Sequence, residues 1–298
     1  MTSRNSNLKL AAKSLAVIAG LVALAPFNMG GCASDPNNPV SLTTIGGLVG
    51  GPEGHLISAG GKAADAASLN EDDENVLGQS VAVAITNQYP LVNDETLQRY
   101  VTLVGMTVAD ASPRPDANYV FGVLDTDVVN AYAGPGGYIL ITRGALRKMQ
   151  DESELAGVLA HEVAHVTRQH GLKAAQQAGW LGAGVEAAKA NQDVAAFGNL
   201  SDNLVDFVLK KGYSREQEFD ADAEAVKYVT AAGYDPEGLE RFLSRTQGGG
   251  LMSTHPGAKE RAGRVDSAIA KSGGAKGVTN AARFLAATGR APAPSQQK

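Results

Sequence analysis

The sequence predicts an α+β fold that is mainly α-helical, with a small β-sheet packed beside one strongly marked helix. Three observations support this prediction. From Glu71 onward apolar residues recur at helical spacing, two β-rich runs at 119–124 and 138–142 lie close together, and 44% of the 298 residues are hydrophobic. Such a chain can bury a core, and its length matches one ordinary domain with an extension at each end.

The N-terminal extension is typical of an export signal. A basic start is followed by a mostly apolar stretch over 15–27, which is too short and too interrupted by Gly and Pro to predict a membrane span. Residues 29–32, Met-Gly-Gly-Cys, are similar to a bacterial lipobox, although Leu is usual where Met29 stands. We predict a lipoprotein signal peptide over 1–31 and lipidation of Cys32, the only cysteine; a plain secretory signal is the alternative.

Composition also predicts the remaining organisation. Residues 32–70 are a predicted Gly-rich tether, with a Gly/Ala-rich helix packed on the domain as the alternative. The globular domain is expected over 71–275, and 276–298 as a partly disordered C-terminal tail. Ala33, rather than Asp, after Cys32 indicates sorting to the outer membrane if the source is Gram-negative. The predicted location is therefore the periplasm, with a lipid anchor to the membrane.

The charge pattern excludes one class of partner. The net charge is −5, and no block of the chain is rich in Lys or Arg. Nucleic-acid binding requires a basic patch or stripe. We therefore expect no nucleic-acid partner.

Hydrophobic periodicity predicts most of the helices, at 72–89, 94–111, 144–149, 201–232, 236–246 and 257–271. The strongest prediction is a helix that begins after Asp151. Asp151 is a good N-cap, Glu154 three residues later predicts a capping box, and Gly171 stands where a C′ glycine belongs.

That helix contains the run His161-Glu162-Val163-Ala164-His165. Residues i and i+4 lie on one helix face, so both imidazoles can bind one tetrahedral metal ion. Glu162 lies about 100° around the helix, near the open position of the metal, where it can act as the general base. A run of this kind also arises by chance in about one such chain in a hundred, so a third ligand decides the question.

Two arrangements of the third ligand can be compared. A metzincin requires Gly three and His six residues after the second His. This chain has Arg168 and Gly171 at those places, so the metzincin arrangement is excluded. A gluzincin requires a Glu on a later helix, and Glu218 lies 53 residues after His165 with Asp222 one turn further on. Asp222 could accept the outer N–H of a ligand histidine. Helical phase favours Glu218, but it leaves Glu216 and Glu224 open.

Further motifs occur in a fixed order around this run. They are Leu-Val-Asn-Asp at 91–94, Asn-Ala-Tyr-Ala-Gly-Pro-Gly-Gly-Tyr-Ile at 130–139, Glu-Leu-Ala-Gly-Val-Leu-Ala at 154–160, Ser214-Arg215 before Glu218, Ala221 and Asp222, Ala-Gly-Tyr-Asp-Pro at 232–236, and Ser-Thr-His-Pro at 253–256 with Arg261. Over residues 71–270 the chain resembles the HtpX-like gluzincin metallopeptidases, which include CAAX-prenyl proteases and bacterial periplasmic lipoprotein proteases. It is most similar to the compact lipoprotein branch. The run Ala133-Gly134-Pro135 departs from the family, in which a larger apolar residue commonly precedes the Pro-Gly-Gly.

The resemblance implies a zincin-like fold, Glu218 as the third ligand of one Zn²⁺ per chain, and zinc-dependent endopeptidase activity on unfolded or misfolded cell-envelope proteins. A substrate surface is predicted from the residues themselves. The strand and Gly-rich turn before the active-site helix would offer an exposed edge to an extended peptide, at Asn130, Ala131, Gly136 and Gly137. A second hypothesis is a chaperone-like assembly or quality-control factor whose zinc site is latched and only conditionally active.

His255 has three competing interpretations. It could stabilise the oxyanion of the tetrahedral intermediate and so belong with Glu162 as a catalytic residue. It could instead occupy the fourth position of the zinc ion until substrate displaces it, or it could cap the following helix. His170 is predicted to be a surface or helix-end residue and not a ligand.

Overall fold

The computed structural model describes residues 71–177, 202–246, 254–255, 257–274 and 276–289. The predicted signal peptide, Cys32 and the predicted tether therefore lie outside the described residues, as does the chain from 290 onward. None of the helices in the described ranges is long and apolar enough to cross a membrane.

The described residues form mainly helices and one small sheet, which confirms the predicted fold class. The elements are α1 (Glu71–Gln88), α2 (Glu95–Ala109), β1 (Val120–Leu124), β2 (Ala131–Ala133), a 3₁₀ turn (Pro135–Gly137), β3 (Tyr138–Thr142), α3 (Arg143–Lys148), α4 (Glu152–Thr167), α5 (His170–Gln177), a π-helical turn (Phe207–Lys211), α6 (Arg215–Ala231), α7 (Glu237–Arg245), α8 (Ala258–Lys271) and α9 (Ala281–Ala287).

The sheet has the order β1-β3-β2, with β1 parallel and β2 antiparallel to β3. Its two faces pack into two different apolar clusters. One face, with Tyr138 and Leu140, packs with α1, and the other, with Ile139 and Ile141, packs with α2 and α4. Alternation at 119–124 correctly predicted a strand, but all five residues of β1 are buried. Both faces are covered because helices lie on each side of the sheet.

Helix α4 is the central element of the larger cluster. It is buried along almost its whole length and packs against α2, α6 and α7. Gly157 explains the close approach of α7, because a Cβ atom there would lie 2.8 Å from the backbone nitrogen of Leu239. A helix buried on nearly all sides has its side chains held in place by packing, which suits a helix that positions chemical groups.

The prediction of a single long helix over 201–232 was wrong, because the helical conformation is interrupted between residues 211 and 215. Gly212 has a φ of 72°, and a Cβ atom there would lie 1.9 Å from the Thr254 carbonyl oxygen. Only glycine tolerates both conditions. A new N-terminus follows at once, since Ser214 and Gln217 form a reciprocal capping box at the start of α6.

The end of α4 also differs from the prediction. Gly171 is not the C′ residue, because α4 ends at Thr167 and Gln169 takes the left-handed conformation with a φ of 52°. At the other end, the Asp151 side chain accepts from the Glu154 N–H as expected. The Glu154 carboxylate, however, accepts from the Gln150 N–H and pairs with Arg245, so the predicted capping box is only half formed.

The predicted domain end at 275 falls short of the observed fold. Phe284 on α9 is fully buried in the larger cluster. The Thr279 carbonyl accepts from the backbone N–H groups of Glu152 and Ser153, and the buried Glu152 carboxylate pairs with Arg283. Residues 276–289 therefore close over the first turn of α4, because they satisfy its free N–H groups and shield its apolar side.

Candidate metal centre

The two histidines of the His-Glu run point into the protein from one face of α4. Both His161 and His165 are buried, and their Nε2 atoms lie 3.0 Å apart. Their rings meet edge to face, with centroids 4.6 Å apart. This is the arrangement that the spacing i and i+4 dictates on a helix.

Helix α6 brings one carboxylate to these nitrogens. Glu218 is fully buried, with one oxygen 3.4 Å from His161 Nε2 and the other 3.5 Å from His165 Nε2. The two other acidic side chains left open by helical phase lie elsewhere. Glu216 is exposed, and Glu224 pairs with Arg168 and Lys227.

A third imidazole completes the group. His255 Nδ1 lies 2.9 Å from Glu218 Oε1 and 3.3 Å from His161 Nε2. Helix α8 begins after Gly257, which makes no side-chain capping bond, so the helix-capping interpretation of His255 does not match its position. One ligand atom from each of His161, His165, Glu218 and His255 lies within 4.8 Å of the others.

These separations test whether zinc would fit. A tetrahedral zinc ion with ligand bonds of about 2.0–2.1 Å places its ligand atoms about 3.3 Å apart. In five of the six residue pairs within the cluster, all but His165 with His255, the ligand atoms lie 2.9 to 3.5 Å apart when either Glu218 oxygen is counted. Three imidazoles and one carboxylate are also ligands that zinc prefers. The donor set therefore fits a zinc ion.

Glu162 lies beside this cluster and has no hydrogen-bond partner among the described residues. Both carboxylate oxygens are buried, and Oε1 is 3.7 Å from His255 Nε2. A buried carboxylate without donors is costly, so such a group indicates a function. Burial raises the pKa of Glu162, against the opposing effect of the His255 and His161 imidazoles.

The outer nitrogen of His161 faces charged groups. His161 Nδ1 lies 2.9 Å from Asp222 Oδ1, and the fully buried Arg261 donates to both oxygens of Asp222. Burial and Arg261 lower the pKa of His161, but hydrogen bonds to Asp222 and Glu218 prevail and raise it to about 9. Burial opposes ionisation of Asp222, yet Arg261 holds its pKa at about 2.

The outer nitrogen of His165 faces a second imidazole instead. His165 Nδ1 lies 2.9 Å from His170 Nδ1, and His170 Nε2 lies 3.3 Å from Asp220 Oδ2. Burial holds the pKa of His165 well below its usual range and lowers that of His170 to about 4. His170 was predicted as a surface or helix-end residue. It is the first residue of α5, as the second possibility has it, but it is buried and not at the surface, because the left-handed Gln169 turns the chain and places it beneath α4.

Tyr213 covers the same side of the cluster. Its ring stacks on the His165 ring, with centroids 3.8 Å apart and an interplanar angle of 15°. Its hydroxyl donates to the Ala133 carbonyl, 3.3 Å away. No motif or spacing singled out Tyr213, since its place depends on the break at Gly212.

The predicted substrate edge is an edge strand, but it is covered. Strand β2 is at one end of the sheet order, yet all three of its residues are buried. Tyr213 bonds to Ala133, and the Asn130 side chain donates to Thr254 Oγ1 at 3.3 Å. Gly136 and Gly137 lie in the 3₁₀ turn, where a Cβ atom on Gly136 would lie 2.7 Å from the Asn75 Cα on α1. The edge of β2 is therefore covered and not exposed, and its use by a substrate stays a prediction.

Comparison with known proteins places these residues in a family. A model described as peptidase family M48 matches residues 95–269, a segment that contains His161, His165, Glu218 and His255. The chain is 26% identical over 221 residues to a putative beta-barrel assembly-enhancing protease of Vibrio cholerae, covering 70% of this chain and 42% of that protein. It is 27% identical over 208 residues to the mitochondrial metalloendopeptidase OMA1 of Schizosaccharomyces pombe, covering 65% and 60%.

A third relative is similar in length. The chain is 27% identical over 232 residues to metalloprotease LoiP of Escherichia coli K12, covering 73% of this chain and 89% of that protein. By contrast, it spans about two fifths of the beta-barrel assembly-enhancing proteases that it matches.

Proposed function

This chain belongs to peptidase family M48, and we propose that it is a zinc-dependent endopeptidase that hydrolyses unfolded or misfolded cell-envelope proteins. In this proposal His161, His165 and Glu218 hold the zinc ion, Glu162 is the general base, and Asp222 orients His161. The observation that supports it most is the meeting of these side chains in one buried cluster, with ligand atoms at zinc-like separations.

The chemistry follows from the placement of Glu162. A bound zinc ion supplies Lewis acidity to the attacking water and the scissile carbonyl. Glu162 takes a proton from the attacking water on one carboxylate oxygen and passes it to the leaving amine. Both oxygens are free of hydrogen-bond donors from the described residues, and burial raises the pKa of this carboxyl, which strengthens it as a base.

Strand β2 is the proposed substrate edge. Residues 130, 132 and 134 pair with β3, so the backbone groups of Ala131 and Ala133 face away from the sheet. An extended peptide could add to them by main-chain hydrogen bonds once Tyr213 and Thr254 move aside. Such binding needs a flexible segment, which favours unfolded substrates. Cleavage of denatured but not folded casein would support this substrate class, and equal cleavage of both would contradict it.

The alternative is a conditionally active, chaperone-like assembly or quality-control factor with a latched zinc site. The position of His255 favours a latch over an oxyanion role, because its Nδ1 lies among the ligand atoms and a catalytic zinc needs an open position. His255→Ala distinguishes the two roles in a peptidase assay. Raised activity supports the latch, and a fall of about a hundredfold supports oxyanion stabilisation instead.

The proposed location is the periplasm, with a lipid anchor at Cys32 and outer-membrane sorting. Support comes from the order of a basic start, an apolar stretch and Cys32. Labelling with radioactive palmitate tests the anchor. Label in the wild-type protein that is lost in Cys32→Ser supports it, and equal labelling of both overturns it.

The proposed reaction is tested by removing and restoring the metal. Treatment with a chelator should abolish cleavage of an unfolded substrate, and stoichiometric Zn²⁺ should restore it. Cleavage that persists in metal-free protein would contradict the proposal.

A further inference from the structure

We propose that His170 positions the metal ligand His165 by accepting a hydrogen bond from its outer N–H group, and that Asp220 in turn accepts a hydrogen bond from His170 and anchors it. This inference rests on the proposed zinc site. Histidine ligands of metal ions usually donate their second N–H to an acceptor that fixes the tautomer and the ring orientation. Asp222 stands in that place for His161, whereas the corresponding group for His165 is not a carboxylate.

The proton positions follow from the distances. His165 Nε2 faces the cluster, 3.0 Å from His161 Nε2 and 3.5 Å from Glu218 Oε1. If Nε2 is a ligand, the ring proton is on Nδ1, and its partner at 2.9 Å is His170 Nδ1. That atom must then be the unprotonated nitrogen of His170. The His170 proton is consequently on Nε2, which faces Asp220 Oδ2 at 3.3 Å.

Local structure holds the hydrogen-bonded series His165, His170 and Asp220, here called the relay, in place. His170 is the first residue of α5 and is buried against α4, because the left-handed Gln169 reverses the chain direction. The Gln217 side chain donates to the His170 carbonyl at 3.3 Å, and Arg168 donates to Asp220 at 2.9 Å. The relay thus joins α5 and α6 to the end of α4, and it ends at a half-exposed carboxylate.

The relay predicts a specific requirement at position 170: an acceptor atom at the place of Nδ1. Asparagine can supply one, since its Oδ1 occupies nearly the same place on the side chain. Leucine has a similar size and shape but no acceptor. The pair His170→Asn and His170→Leu therefore separates hydrogen bonding from packing.

The test measures zinc affinity by competition with a chromophoric chelator, with Co²⁺ absorption as a second readout of ligand geometry. His170→Leu should weaken zinc binding about 10- to 100-fold and change the Co²⁺ spectrum, as expected for loss of an outer partner. His170→Asn should stay within about threefold of wild type. Lys173→Ala, an exposed change on the same helix, is the matched control and should have no effect.

Three outcomes would overturn parts of the account. Equal zinc affinity in wild type and folded His170→Leu would overturn the role of His170 but not the zinc site. Equal weakening in His170→Leu and His170→Asn also overturns it, because packing would then explain the effect. If His170→Leu does not fold, the decision passes to His170→Asn, whose zinc affinity must match wild type. A wild-type protein that binds no zinc would instead refute the metal site itself.

Discussion

The two proposed histidine ligands lie one turn apart on α4, but their outer surroundings differ in kind. His161 faces a fully buried ion pair, in which Asp222 is bound through two hydrogen bonds to Arg261. His165 faces the ring of His170, and the ion pair beyond it, between Asp220 and Arg168, is about 40% exposed. Identical residues on one helix can therefore be held by a charged partner on one side and a neutral one on the other. The His161 side depends on a buried charge network, and the His165 side on shape and tautomer.

The largest expected effect is a loss of zinc affinity, and it should be the same for both histidines despite their different surroundings. His161→Ala and His165→Ala each remove a ligand, so each should lower zinc affinity by more than about a hundredfold, the upper end for loss of an outer partner. Chelator competition on the two purified variants measures this. Wild-type affinity in either variant would remove that residue from the ligand set.

The next largest effect is on the free energy of unfolding, and here the two sides of the site should differ. Asp222→Ala removes the carboxylate that accepts from Nε and Nη2 of the fully buried Arg261, so we expect about 3 kcal/mol of destabilisation. The matched change Asp220→Ala removes a partly exposed pair and should cost less than about 1 kcal/mol. Urea unfolding of both variants in metal-free buffer gives the two values. Equal losses would mean that the charged and neutral sides are energetically alike.

The smallest expected effect lies on the His165 side. Tyr213→Phe removes the hydroxyl bond to Ala133 but keeps the ring stacked on His165. Stability should fall by about 0.5–1.5 kcal/mol, the ordinary value of one hydrogen bond. Zinc affinity should stay unchanged, since the ring still shields His165. A loss of zinc affinity as large as that of His170→Leu would show that the hydroxyl, rather than the stack, supports the ligand.

The features of the site that the sequence could predict are those set by local helical geometry. Helical period alone put His161 with His165 and Glu218 with Asp222 on shared helix faces, and the structure brings these four side chains together. Local periodicity also predicted most of the helices, strands β1 and β3, and the mainly helical fold class. These features depend on neighbours within one turn or one strand.

The other side of the site depends on the way distant segments meet. His170 reaches His165 only because Gln169 takes a left-handed conformation, which no local signal required. The break at Gly212 follows from its contact with Thr254, and it places Tyr213 over His165 and Ala133. The cover over β2 and the burial of residues 276–289 likewise arise from tertiary packing, which overrides composition.

The central claim is that the His-Glu cluster is a working zinc peptidase site, and one paired measurement tests it most directly. Zinc content and cleavage of an unfolded substrate are measured for wild type and for Glu162→Gln, which keeps the size of the side chain but removes the base. The account predicts one zinc ion per chain in both proteins and a loss of cleavage of about a hundredfold or more in the variant alone. Absence of zinc from both proteins, or undiminished cleavage by Glu162→Gln, would contradict it.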